Sequence, residues 1–242
     1  MNILFAVIFL FLKTGEKFAT QETAGDTVAG LTKVLCEKTG VSFEPRVMND
    51  PVKAAELKGV GVGIVTPGFY LAYRKTLGLE PILEVKRAKV PEERYVLVTG
   101  KDAGEADIVT TSMTAEERYV LGVILDGREA RLKQTSDPGD ALFDIAEGAT
   151  GGVLLESAQW DAFKDDPELG PKLRVAYRSE ALPGNLVVVF RDGADAGKLT
   201  TALKALGESD EGKAILRSIL VDSFVEIDKP RLAKAEEKFF GK

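Results

Sequence analysis

Three hydroxyl residues, Thr110, Thr111 and Ser112, stand in a row in DIVTTSMTAEERYVLGVIL, and Thr114 follows one residue further on. They lie where an apolar strand pattern gives way to a helical one. Hydroxyls and free amides at a helix start converge on one point, and the positive end of the helix dipole favours an anion there. A second stretch of this kind is TPGFYLAY, with Thr66 and Gly68 at a helix start and Phe69 and Tyr70 placed to cover an organic substituent. A third is KTGEKFATQE, offering Thr14, Lys17, Phe18 and Thr20. A fourth is ESAQW, with Glu156, Ser157 and Trp160.

Each group also has a plain structural use. Thr66, Ser112 and Ser157 fit helix N-caps, each worth about 1 kcal/mol. Thr114-Ala-Glu-Glu117 fits a capping box. Phe69, Tyr70 and Trp160 fit lobe-packing aromatics. Together, several hydroxyl- or glycine-rich helix starts, each behind a buried strand, describe a small oxyanionic ligand held chiefly by hydrogen bonds. The spacing does not name that ligand. Met113 adds bulk and softness between the hydroxyls. The Glu156 carboxylate suits a ligand amine and repels a second anionic charge.

The composition excludes several other chemistries. The 242 residues contain no histidine and one cysteine. The commonest acid–base catalyst is therefore missing, as are an intrachain disulfide and a thiolate metal cluster. No metal or cofactor is expected. Cys36 falls on the apolar side of a helical pattern and reads as a buried structural residue. The net charge of -6, with acidic and basic residues intermixed, gives no footprint for nucleic acid and no polybasic membrane patch. No dinucleotide or P-loop fingerprint occurs; the glycines of GVGVG are read as preceding a strand, where a phosphate cradle follows one.

The elements that position these residues alternate strand and helix. The first apolar run, within MNILFAVIFLFLKTG, lacks a basic n-region and a small-residue cleavage site, and is too short to span a bilayer. It reads as a buried parallel strand, so any export signal is expected to be absent from this chain. A helix ending at Gly40, the strand VSFEPRVM, a helix opening at Asn49-Asp50-Pro51, the strand VGVGIV, the helix FYLAYRKTLG and the strand EPILEVKR complete a first βα series. Then KVPEERYVLVTG passes from strand to strand without a helix, and LPGNLVVVFRDG repeats that signature after a second βα series. From Ala196 the chain reads as mostly helical, with FVEIDKP as an interruption.

This pattern predicts an α/β protein of two lobes, each a mostly parallel sheet flanked by helices, joined by two crossover strands. Lobe 1 takes residues 1–92 and is completed by 190–242 with the C-terminal helices; lobe 2, residues 93–189, is inserted. A ligand cleft between the lobes is expected.

VGIVTPGFYLAYRKTLGLEPI, ERYVLVTGKD, DIVTTSMTAEERYVLGVIL and GGVLLESAQW resemble the periplasmic phosphate/phosphite/phosphonate-binding proteins of ABC transporters, which have the type II periplasmic-binding-protein fold. The resemblance implies that Thr110, Thr111, Ser112 and Thr114 grip the oxyanion and that the aromatic-bearing loop Thr66–Tyr70 faces it. It implies a monomeric, extracytoplasmic substrate-binding component working with an ABC permease. Where family members often have Ser-Thr-Ser-Gly, Met113 takes the place of the small residue. The competing functions are an orphan ligand-sensing receptor of the same fold and an enzyme on a bilobal scaffold; the missing histidine weighs against the enzyme.

Overall fold

The computed structural model describes residues 6–12, 21–87, 90–191 and 193–241, with backbone alone for 21–27. The chain divides into two compact units, Met1–Pro91 with Pro183–Lys229 and Glu92–Leu182 with Pro230–Lys242. We call them lobe 1 and lobe 2.

Lobe 1 is built on β1 (Val7–Leu12), β2 (Phe43–Met48), β3 (Val60–Val65) and β4 (Glu80–Arg87). The chain returns to it as β10 (Leu186–Val189) and β11 (Val221–Val225), giving the order β11-β4-β10-β3-β1-β2. The apolar run Val7–Leu12 lies between β2 and β3 and pairs parallel with both, and its last four residues are buried. A strand covered on both faces has no solvent side on which to alternate polar residues. Pro45, which cannot donate to a ladder, sits in β2 at the sheet edge. Gly61 and Gly63 lie inside β3 rather than ahead of it. A Cβ at Gly63 would stand 2.9 Å from the carbonyl oxygen of Leu10, so the close approach of β3 to β1 needs glycine.

Lobe 1 carries α1 (Gln21–Thr39), α2 (Pro51–Glu56), α3 (Pro67–Leu77), α7 (Ala196–Ala205) and α8 (Asp210–Ser218). Val28, Leu31 and Leu35 of α1 share one core with Leu199, Leu203 and Leu216. Cys36 is half-buried, one position off that stripe. The α2 start follows its sequence signal: Asp50 accepts from the amides of Val52 at 2.9 Å and Lys53 at 3.2 Å, and Pro51 opens the helix.

Lobe 2 has the order β7-β6-β8-β5-β9, from β5 (Tyr95–Gly100), β6 (Ile108–Thr111), β7 (Arg131–Gln134), β8 (Gly152–Glu156) and β9 (Leu173–Arg178). Its helices are α4 (Glu117–Tyr119), α5 (Pro138–Ala146), α6 (Ser157–Phe163) and α9 (Lys229–Phe240). α4 is a single turn between a 3₁₀ turn, Thr114–Glu116, and a π turn, Val120–Ile124.

Each sheet is mostly parallel, as expected, with β10 and β11 in lobe 1 and β5 in lobe 2 running against the rest. β5 and β10 each enter straight from the other lobe with no crossover helix, which suits antiparallel pairing. Two sequence expectations change. The return to lobe 1 comes at Pro183, ahead of β10, because Leu186–Val189 pair with β3 and β4. Finally, the C-terminal stretch is split. Val221–Val225 is the edge strand beside β4, and α9 belongs to lobe 2. Lys238 binds Asp126 at 2.7 Å and Glu180 at 2.6 Å, Lys234 pairs with Glu180, and the Arg118 guanidinium lies 4.8 Å from the Phe239 ring centroid.

Candidate ligand-binding site

The carboxyl ends of three neighbouring parallel strands in lobe 2 carry Thr110–Thr114, the last two residues of β6 and the turn that follows, Gln134 at the end of β7 and Glu156–Ser157 at the end of β8. Open α/β sheets collect ligands at this edge.

Within the turn the hydroxyls have separate duties. Thr111 is 1% exposed, and its Oγ1 accepts from the Met113 amide at 3.2 Å. Thr114 donates to Gln134 Oε1. The Gln134 Nε2 donates to the carbonyls of Thr135 at 2.9 Å and Ser112 at 3.5 Å. Two carbonyls on the nitrogen side fix the amide orientation, so Oε1 faces Thr114 and the Thr114 hydroxyl proton is spent. The side chains of Thr110 and Ser112 are half-exposed and make no hydrogen bond among the described residues. They remain donors for something else.

The capping box expected at Thr114–Glu117 does not form. Met113 holds the N-cap position of the 3₁₀ turn with no side-chain cap, and Thr114 is inside the turn, bonded across to β7. Ser112, one residue earlier, is not the cap either. At α6 the cap is Glu156, not Ser157: the Gln159 Oε1 accepts from the Glu156 amide at 3.0 Å as part of a capping box. The Ser157 amide is used as well, donating to the Arg94 carbonyl at 2.8 Å. Trp160 is 6% exposed in a core with Val96, Val98, Leu142 and Leu155. This indole is therefore packing, not an exposed face for a ligand.

In lobe 1, Thr66 caps α3, accepting from the Phe69 amide at 3.1 Å. Phe69 is fully buried with its ring 4.9 Å from that of Tyr73, and Tyr70 and Gly68 are also buried. The Arg74 guanidinium lies 5.9 Å from the Tyr70 ring centroid. Thr14, Lys17 and Phe18 lie outside the described residues. Gln134 was missed by sequence reasoning. The signal was available: a polar amide ends the strand that pairs in register with Thr111.

A cavity of 790 Å³ opens at the opposite edge of the same sheet, beside Gly100, Ile108 and Gly151. Lys101, Arg131 and Lys172 line it with Asp102, Glu105 and Asp107. Balanced charges give it no net field for an anion, and it holds none of the residues singled out above. The turn at the other edge offers unspent hydroxyl donors, with the Glu156 carboxylate on the neighbouring strand end.

Residues 126–232 match the family of periplasmic substrate-binding proteins of phosphonate ABC transporters. This is the family the sequence resembles, and the matched stretch includes Gln134 and Glu156. A search of curated protein sequences finds no match. Among solved structures, a Xanthomonas citri protein bound to chloride, also solved with ATP, superposes with a TM-score of 0.77 at 12% identity over 98% of both chains. A binding component of an ABC phosphonate transporter from Pseudomonas aeruginosa gives 0.64 at 14% identity, covering 94% of this chain and 83% of its own. A Prochlorococcus marinus protein in complex with methylphosphonate gives 0.64 at 13% identity over 97% of each chain. The fold is that of type II periplasmic binding proteins. The family is one of transport-binding proteins, and among the described residues no helix is long and apolar enough to cross a membrane.

Proposed function

We propose that this chain is the extracytoplasmic substrate-binding component of an ABC uptake system, and that it binds a small tetrahedral oxyanion of the phosphonate or phosphate class at the Thr110–Thr114 turn. One observation carries the reading: the Thr111 oxygen and the Thr114 proton hold the turn, while Thr110 and Ser112 spend neither on the protein and are left to donate. A helix needing only a cap would use one hydroxyl. The amides at the start of the 3₁₀ turn add donors that have no intrahelical partner.

The same network narrows the ligand. With its proton on Gln134, the Thr114 oxygen can only accept, so it favours a ligand oxygen that carries a hydrogen. Glu156 at the same edge disfavours a second full negative charge and favours an ammonium substituent. A singly charged hydrogen-phosphonate, dihydrogen phosphate or an aminoalkylphosphonate meets both conditions; sulfate meets neither. Met113, between the two sets of hydroxyls, limits the room for a substituent. The chain acts as a monomer handing its ligand to a permease, with no cofactor and no bond made or broken.

A thermal-shift screen of methylphosphonate, phosphate, phosphite, sulfate, amino acids and ATP tests this, because a ligand selective for the folded state stabilises by mass action, about 2.7 kcal/mol at a hundred times Kd. Stabilisation by a protonatable phosphorus oxyanion and none by sulfate is expected. Stabilisation by amino acids or ATP alone would replace the oxyanion reading.

A further inference from the structure

Glu84 is 7% exposed in the middle of β4, a place where a carboxylate must find strong partners. It has them in two distant parts of the chain. Its Oε1 accepts from the Gly184 amide at 2.9 Å, and its Oε2 from the Asp228 amide at 3.3 Å. In the ladders Glu84 pairs with Leu186 of β10 and Val225 of β11. Gly184 stands one residue ahead of Asn185, whose carbonyl accepts from the Val85 amide at 2.7 Å, and Asp228 three residues beyond the end of the β11 ladder.

Those residues are also the last anchored points before the chain leaves lobe 1. The division into units shows three crossings, at Pro91/Glu92, Leu182/Pro183 and Lys229/Pro230, not the two read from sequence. β4 itself leads to the first. On the lobe-2 side the first two are tied to each other: Glu93 bridges Leu182, whose amide donates to the Glu93 carbonyl at 2.8 Å, and Tyr95 and Ser179 exchange backbone bonds beyond them. In the second crossing only Pro183 stands between the Leu182 bridge and the Gly184 bond. In the third, α9 begins at Lys229, immediately after Asp228.

We propose that Glu84 is the lobe-1 anchor of the interlobe connections, and that it confines bending in the second and third crossings to Pro183 and the Asp228–Lys229 junction. Gly184 is its counterpart. A Cβ there would lie 2.8 Å from the Val85 carbonyl oxygen and 3.3 Å from Glu84 Oε1, so only glycine lets the amide reach the carboxylate. Without the anchor, the unpaired span of the second crossing grows to include Gly184. In the third, the Asp228 amide loses its hold on β4. The lobes then sample a wider range of separations with or without any ligand.

The test uses the full chain and no ligand. Spin labels are placed at exposed Lys58 in lobe 1 and Glu147 in lobe 2 through Lys58→Cys and Glu147→Cys, with Cys36→Ser to remove the native thiol. Pulsed dipolar distances and amide hydrogen exchange are compared for the parent, Glu84→Ala, Glu84→Gln and Gly184→Ala. In Glu84→Ala the Gly184 and Asp228 amides should exchange at least about tenfold faster while β3 amides keep their protection, and the interlobe distance distribution should broaden. Glu84→Gln, which keeps one acceptor oxygen, should fall between. Gly184→Ala should broaden the distribution with the carboxylate intact, and it decides the matter with Glu84→Gln if Glu84→Ala fails to fold. Faster exchange at both amides with an unchanged distance distribution would overturn the proposal, as would unchanged exchange.

Discussion

Gln134→Leu is the perturbation that separates a structural turn from a selective one. Leucine keeps the bulk of the side chain and removes both the acceptor for Thr114 and the donors to Ser112 and Thr135. Gln134 is exposed, so water replaces much of what is lost, and stability should fall by only about 0.5–1 kcal/mol. Selectivity should change more. In the parent, the Thr114 oxygen meets a sulfate oxygen acceptor to acceptor, which leaves a desolvated group unsatisfied at about 1–3 kcal/mol. Once the hydroxyl rotates freely it donates to either ligand, and most of that penalty goes. The methylphosphonate-to-sulfate affinity ratio should therefore drop by roughly tenfold, the equivalent of about 1.4 kcal/mol. Isothermal titration of both ligands, at a pH where the phosphonate retains one proton, measures the ratio directly. An unchanged ratio, or a parallel loss of both affinities, would refute the donor–acceptor reasoning.

Thr110→Val with Ser112→Ala removes the two unspent hydroxyls; affinity for the phosphorus oxyanion should fall at least about tenfold while the melting temperature stays near the parent's, since neither makes an internal bond. Equal losses of affinity and stability would make them structural. Trp160→Ala should cost about 3–5 kcal/mol in denaturant unfolding as a core truncation. The parent's Trp160 fluorescence should stay silent on ligand addition, and a ligand-dependent change would return the indole to the site. Burial raises the Glu180 carboxyl, but hydrogen bonds from Lys234 and Lys238 outweigh it and hold the group below 4.5. A depressed pKa gives stability that is present above the unfolded value and lost as pH falls through the folded one. The attachment of α9 should therefore loosen only in acid. Melting curves of the parent and Glu180→Gln should converge there; a constant gap across the acid range would contradict the linkage.

The sequence was most readable where a local cause sufficed. The apolar Val7–Leu12, Asp50-Pro51 at the start of α2 and Thr66-Pro67 at the start of α3 specify their elements from a few adjacent residues. The site was half legible for the same reason. The hydroxyl row announces itself, but which hydroxyl is free depends on Gln134, brought beside it only by the pairing of β6 with β7. A regular helix with a capping box was expected after Ser112; instead the turn begins as 3₁₀ because Thr114 bonds sideways to another strand. The tail shows the limit most clearly. Val221–Val225 is too short and too mixed to announce a strand until β4 offers it an edge. Nothing local tells Lys238 that its partners are Asp126 and Glu180. Trp160 looked available because it follows a polar helix start, yet its position on α6 turns it into the lobe-2 core.

The most direct test of the oxyanion site is an amide ¹⁵N–¹H titration of the full chain with methylphosphonate. The largest shifts, saturating together, are expected at the amides of Ser112, Thr114 and Ala115, with a smaller response at the Gln134 side-chain amide. Shifts centred instead on Lys101–Glu105 and Gly148–Gly151, around the cavity at the other edge of the sheet, would contradict it.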